Sequence, residues 1–215
     1  MLKVIKTVLG AYGTNTYILI DEASGEAAVI DPAVRSRELE ELLFSNGVKN
    51  LKYILLTHGH FDLITGVYSL KQRFGGEVLI HEDDALCLQN AEMSLSTAVD
   101  GYPQTEMEAD SLLHDGDEIM LGENKISVKH TPGHTKGSVI FITEFCIFSG
   151  DTLFRCSMGR TDLPGGSTRT LFKSLREIGQ LQGEYQIFTG HGEDTSLSYE
   201  KRNNRYLRAN DFTHN

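Results

Sequence analysis

Four apolar runs of this chain each stop at a residue able to ligate a metal: Ile54-Leu55-Leu56-Thr57 runs into His58, the segment Ser127 to Gly133 into His134, Cys146-Ile147-Phe148-Ser149-Gly150 into Asp151, and Gln186-Ile187-Phe188-Thr189-Gly190 into His191. Strand ends place side chains at the rim of a sheet, where binding and catalytic groups concentrate. Four extended segments that end this way predict one site assembled along that rim, which is the layout of an enzyme. The densest of the four is Thr57-His58-Gly59-His60-Phe61-Asp62, directly after the strand-like Lys52 to Leu56. In extended chain, residues i, i+2 and i+4 share a side, so His58, His60 and Asp62 can face one point, whereas on a helix i and i+2 diverge. Val67, Leu70 and Phe74 follow at helical spacing and put the motif in a strand-to-helix connection. Neutral imidazole and carboxylate are ligands that zinc and iron accept.

Periodicity predicts strands near 2–9, 15–20, 27–31, 51–56, 77–80, 117–121, 124–130, 138–143, 145–149 and 186–189, with helices near 35–46, 65–74, 168–180 and 197–208. By itself this pattern says mixed α/β, with helices able to cover two central sheets. No regular period emerges between Gln89 and Asp110, and a stretch that long reads as a functional lid or a mobile insertion. At 215 residues, with no repeat or low-complexity linker, the chain is expected to form one domain over 1–215.

The formal charge of −10 argues against a nucleic-acid surface, which needs clustered Lys and Arg. The short basic run Lys201-Arg202-Asn203-Asn204-Arg205 reads instead as the polar face of a terminal helix. Lysines interrupt Met1 to Val8, so no secretory signal is visible, and nothing approaches the roughly 20 apolar residues that span a bilayer. Cys87, Cys146 and Cys156 are odd in number and form no Cys-x-x-Cys pair, which points to reduced thiols and a cytoplasmic location. The expected partner is a small-molecule substrate, with no nucleic acid and no membrane; the oligomeric state stays open.

Taken in order, Thr57 to Asp62, Gly133-His134-Thr135, Gly150-Asp151-Thr152-Leu153-Phe154 and Gly190-His191-Gly192 resemble the metallo-β-lactamase superfamily. The segment Gly159 to Gly166 resembles its short hydroxyacylglutathione hydrolase (glyoxalase II)-like branch. The resemblance spans nearly the whole chain and implies an α/β (α+β) fold, the four-layer αββα sandwich. Carried over position by position, it implies a first metal site of His58, His60 and His134, bridged by Asp151, and a second of Asp62, Asp151 and His191. There is one departure. The resembled first motif ends in a further histidine that helps to hold the second metal, and here Leu63 stands in its place. Leucine donates no lone pair, so the second site is expected to be weakened.

The resemblance implies one or two Zn²⁺ ions, with Fe or Mn also admitted by the ligand set. Three imidazoles leave zinc a position for water, whose pKa falls to ~7 in such sites, so hydrolysis needs no serine or cysteine nucleophile. Asp62 and Asp151 are the expected catalytic carboxylates, orienting that water and accepting its proton. Thioesters of the hydroxyacylglutathione type are the implied substrates, although the 24 residues after His191 leave no room for the helical domain that grips glutathione in full-length glyoxalase II. Two alternatives remain. His58, His134 and Asp151 also match the two-histidine, one-carboxylate triad of a mononuclear iron persulfide dioxygenase, and Leu63 permits a degenerate, non-catalytic metal-binding protein. Zinc β-lactamases commonly place a cysteine where Asp151 stands, which disfavours that activity, and RNA-processing relatives need a large insert that is absent.

Other polar residues receive structural expectations. His81, His114, His130 and His214 are expected to be hydrogen-bonded rather than metal-bound, Cys156 to be a small packing residue, and Asn15, Thr16 and Tyr17 to be structural. Arg160 and Asp162 are expected to order the Gly/Pro-rich loop by a salt bridge, with substrate contact as the other reading.

Overall fold

A computed structural model describes residues 1–208. Two six-stranded sheets lie at its centre. The first runs in the order β1 (Leu2–Leu9), β2 (Thr14–Asp21), β3 (Ala27–Ile30), β4 (Tyr53–Leu55), β5 (Glu77–His81) and β6 (Ser111–Leu113). Its first three strands pair antiparallel and its last three join in parallel. The second contains β7 (Glu118–Leu121), β8 (Asn124–His130), β9 (Val139–Ile142), β10 (Cys146–Gly150), β13 (Gln186–Thr189) and β14 (Thr195–Ser196), in the order β14-β13-β10-β9-β8-β7. A small hairpin of β11 (Leu153–Phe154) and β12 (Ser157–Met158) follows β10.

The layering follows from strand alternation. Ile18, Ile20, Ala27 and Val29 point outward into a cluster with Leu39 and Leu43 of α1 (Arg37–Ser45), Leu63 and Ile64 of α2 (Phe61–Ile64), and Val67, Leu70 and Phe74 of α3 (Val67–Phe74). Their neighbours Tyr17, Leu19, Ala28 and Ile30 point the other way and meet Val128, Val139, Phe141 and Phe148 of the second sheet. On the far side, Ile140, Ile147 and Ile187 pack against Leu171, Leu175 and Ile178 of α5 (Thr168–Gln180) and Leu197 of α6 (Leu197–Asn203). The central strands thus feed two cores, as a period of two requires of strands buried on both faces. The result is helix, sheet, sheet, helix, the four-layer order that the resemblance implies. Ser36 caps α1 by accepting from the Leu39 N–H at 3.2 Å, and Ser167 caps α5 in the same way from Thr170 at 3.3 Å.

Several elements differ from the sequence expectation. The helix expected over 197–208 is two, α6 and α7 (Arg205–Arg208), because Asn204 at the junction is extended and its side chain turns inward to Glu200 and the Ser157 carbonyl. β6, β14, the β11–β12 hairpin and the one-turn helices α2 and α4 (Ala85–Gln89) are additional; each is too short to show a period. Residues 89–110, expected as a lid or mobile insertion, are instead tied down despite holding a single 3₁₀ turn at Ser96–Ala98. The Ser94 carbonyl accepts the Phe61 N–H at 2.9 Å, and the Gln104 amide donates to the carbonyls of Cys87 and Leu88. Among the described residues no helix is long and apolar enough to cross a membrane. His214 lies outside them.

Candidate metal centre

The chain ends of β3, β4, β10 and β13 gather on one rim because these strands run parallel within their sheets. Just beyond β4, Thr57 is fixed by the buried Asp31 carboxylate at the end of β3, which accepts its N–H at 2.8 Å and its hydroxyl at 2.7 Å. His58 follows. His60 sits at the N-cap of α2 and Asp62 in its first turn. His134 comes from the loop between β8 and β9, Asp151 from the residue after β10, and His191 from just after β13.

The structure brings His58, His60 and His134 together, all buried. His134 Nε2 lies 3.2 Å from His58 Nε2 and 2.9 Å from His60 Nδ1, and the three rings stand nearly perpendicular to one another. Tautomers follow from the outer hydrogen bonds. His134 Nδ1 donates to the Arg160 carbonyl at 2.8 Å, leaving Nε2 bare. Once Asp31 is ionised the Thr57 hydroxyl donates to it, so the hydroxyl oxygen accepts from His58 Nδ1 at 3.3 Å, leaving the Nε2 of His58 bare as well. Two nitrogen lone pairs facing each other at 3.2 Å repel unless a cation lies between their axes, which is the arrangement of a metal cage whose outer partners orient each imidazole. Burial, aided by the neighbouring imidazoles, pushes His58 well below its ordinary pKa, and burial with His134 pushes His60 to about 4. Both are neutral near pH 7, the state in which imidazole ligates.

The shared side expected for His58, His60 and Asp62 holds for the two histidines only. The chain turns helical at Phe61, so Asp62 swings to the second group, where its Oδ2 lies 3.1 Å from His191 Nε2. Asp151 Oδ2 sits between the groups, 3.7 Å from His134 Nε2 and 3.6 Å from His191 Nε2, while Asp151 Oδ1 is buried with no hydrogen-bond partner. An orphaned buried carboxylate oxygen beside bare imidazole nitrogens is the second sign that the residues fit a cation. Burial raises the Asp151 pKa, against the opposing pull of His134 and His191. Burial also disfavours charge on His191, but the hydrogen bond to Asp62 and the charges of Asp151 and Asp62 lift it to about 9. The His191 side chain is 24% exposed and those of Asp62 and Asp151 are 12%, against 3% for His134, so the centre opens to solvent on the carboxylate side.

Leu63 faces away from this donor set: it is fully buried and packed in the outer apolar cluster of the first sheet. His81, Asp83 and His130 also come within ligand distance of one another. The two rings stack 3.9 Å apart and 15° from parallel, so their in-plane lone pairs run side by side instead of converging. His81 Nδ1 accepts from the Asp83 N–H and His130 Nε2 donates to the Lys136 carbonyl, the hydrogen-bonded state expected of them. His114 pairs with Asp117. Arg160 binds Asp162 through two hydrogen bonds at the surface. Asn15 and Tyr17 tie the two sheets together through the Thr189 carbonyl. Cys156 differs from expectation: it is exposed, at φ 55°, in the hairpin turn. The sequence gives no role to Asp31 or Asp84, and Thr135 enters it only as part of a motif; the bonds of Asp31 to Thr57 and of Asp84 to Gly59, Thr135 and Gly137 span 25 to 53 residues.

Residues 9–191 match the model of the Metallo-beta-lactamase superfamily. Over 209 residues the chain is 32% identical to the hydroxyacylglutathione hydrolase GloC of Haemophilus influenzae, covering 93% of this chain and 95% of that protein. Among solved structures, the BLEG-1 B3 metallo-beta-lactamase superposes with a TM-score of 0.88 at 34% identity, covering 97% of this chain and 100% of the other. TTHA1623 in a di-iron-bound form superposes with a TM-score of 0.84 at 32% identity, covering 95% and 100%.

Proposed function

The chain belongs to the metallo-beta-lactamase superfamily, and from that premise we propose that it is a metal-dependent hydrolase acting on thioesters of the hydroxyacylglutathione type. The observation that carries this reading is the pair of bare imidazole nitrogens held 3.2 Å apart beside a third imidazole and an orphaned carboxylate oxygen. His58, His60 and His134 would hold the first ion, Asp151 would reach it from the bridging position, and Asp62 with His191 would complete a second, weaker position that lacks a ligand at Leu63. Bound there, zinc, iron or manganese supplies a Lewis acid and lowers the pKa of its water toward ~7.

The protein's own groups do the rest. Asp151 and Asp62 lie on the solvent-facing side of the imidazole cage, where a carbonyl substrate enters, and they orient the attacking water and accept its proton. Thr57, locked by Asp31, keeps the His58 ring in one tautomer, and the Arg160 carbonyl does the same for His134. The thioester class is supported by the similarity to GloC and by the loop Gly159 to Gly166.

Elemental analysis of the purified protein, with an S-lactoylglutathione assay run under nitrogen, tests the proposal. We expect at least one transition metal per chain, its loss in His58→Ala and His134→Ala, and hydrolysis that needs no oxygen. Undiminished metal in both variants would sink the ligand assignment. Oxygen uptake with glutathione persulfide by the iron-loaded protein, or cleavage of a β-lactam, with no thioester cleavage in either case, would replace the substrate class.

A further inference from the structure

Asp84 ends the 3₁₀ turn Glu82–Asp84 that follows β5, and it is 3% exposed. Its Oδ2 accepts the Gly59 N–H at 2.9 Å and the Thr135 hydroxyl at 2.7 Å, and its Oδ1 accepts the Gly137 N–H at 2.8 Å. Gly59 stands between His58 and His60, and Thr135 directly follows His134. One carboxylate therefore grips both loops that deliver the three imidazoles, one loop from each sheet. Although Asp84 precedes α4, its side chain makes no capping bond to that helix. Among the described residues it has no Lys or Arg ion-pair partner. Two backbone N–H groups and one hydroxyl satisfy both buried carboxylate oxygens, an arrangement that fixes the donor positions closely.

The packing is equally specific. A Cβ on Gly137 would lie 2.7 Å from Asp84 Cβ and Cγ, and one on Gly59 would lie 2.5 Å from Cys87 Cβ and 3.2 Å from the Asp84 carbonyl. Gly59 and Gly137 bring their backbone this close only because neither carries a side chain.

We propose that Asp84 is a positioning residue for the metal centre: by clamping Gly59 and the Thr135–Gly137 turn to one carboxylate, it sets the distance between the His58/His60 pair and His134, and with it metal affinity and ligand geometry. The inference rests on the metal centre proposed above and is independent of which substrate is cleaved.

Cobalt(II) titration against a competing chelator, read by the visible ligand-field bands, provides the test on the full chain. Asp84→Asn keeps shape but places an amide N–H₂ against N–H donors. It should weaken cobalt binding by roughly 10- to 100-fold, the range seen when outer partners of metal ligands are altered, and should shift the bands. Thr135→Val, which removes one of the three contacts, should move both readouts less, and Thr135→Ser should restore them. Glu200→Gln is the control for generic destabilisation. Glu200 is an equally buried carboxylate that accepts from Thr195, Cys156 and Asn204, and its variant should bind cobalt as the wild type does. If Asp84→Asn fails to fold, the Thr135 pair decides the matter. Wild-type affinity and spectrum in Asp84→Asn and Thr135→Val, or an equal loss in Glu200→Gln, would overturn the inference alone. A wild-type protein that takes up no cobalt would overturn the metal centre with it.

Discussion

Leu63 and Asp31 show how single positions shape the centre from opposite sides. Leu63 packs with Ala33 and Ile64 in the apolar cluster behind the first motif, and its backbone N–H bonds to the His60 carbonyl. In Leu63→His an imidazole must leave apolar packing, at a cost of about 1–3 kcal/mol unless it finds a partner. A metal in the second position is that partner, so the variant should be less stable when metal-free, yet raise metal stoichiometry toward two and increase hydrolysis. Two tightly bound ions in the wild type, with neither stoichiometry nor rate altered in the variant, would refute the weakened second site. Asp31 has the opposite character. Burial lifts its carboxyl to about 7, above the ordinary 3.8, against the hydrogen bonds from Thr57. The folded state therefore keeps a proton that the unfolded state releases, and the contribution is lost as pH rises from about 4 to about 7. In the metal-free protein, Asp31→Asn should melt like the wild type near pH 4 and progressively above it toward pH 8. A melting difference that stays flat across that window would contradict the assignment. His58 and His60 were legible in the sequence as a candidate ligand pair because a two-residue spacing is itself a geometry. Asp31, Asp84 and Thr135 were not, because their roles consist of hydrogen bonds between segments whose juxtaposition the sequence does not state.

Among the elements, the His134 loop is held by a close backbone contact. Gly133 has φ 134°, and a Cβ there would meet the Leu171 backbone of α5 at 2.3–2.4 Å. The Gly133 N–H bonds to the Thr135 carbonyl, and its own carbonyl accepts the Ser167 N–H at the start of α5. Gly133→Ala should therefore cost about 2–4 kcal/mol, from a forbidden dihedral and a backbone clash together, and should weaken metal binding because the clash pushes His134 off its axis. Thermal melts and the chelator competition check it; an alanine variant matching the wild type in both would exclude this role for the α5 contact. The long strands and helices were readable from their periods. The hairpin at 153–158 and the break at Asn204 were not, since two-residue strands carry no period and the break depends on a buried contact with Glu200. The tethering of 89–110 escaped for a related reason: Ser94, Tyr102 and Gln104 are polar or aromatic residues whose buried partners belong to other segments.

At the scale of the whole molecule, the two sheets hold the candidate metal rim only while they stay packed face to face. Phe148 of β10 is 1% exposed, meets Tyr17 of the first sheet edge-on at 5.2 Å and stacks on Phe188. Phe148→Ala should cost about 3–5 kcal/mol. Because Asp151 lies three residues further on, metal release and unfolding should coincide in one denaturant transition. Two separated transitions would show that the rim survives without the inter-sheet core. The amino-acid order alone determined the alternating strands that feed two cores, the four strand ends bearing His or Asp, and the donor types that suit a metal, because these are local patterns of spacing and chemistry. Only the tertiary structure decided that Phe61 starts a helix and so turns Asp62 away from the side shared by His58 and His60, that Leu63 packs into the core, and that Asp84 spans the loops of His58/His60 and His134. Each of these depends on where a helix starts, or on which remote segments touch once the sheets close, and those contacts come into being with the packing itself.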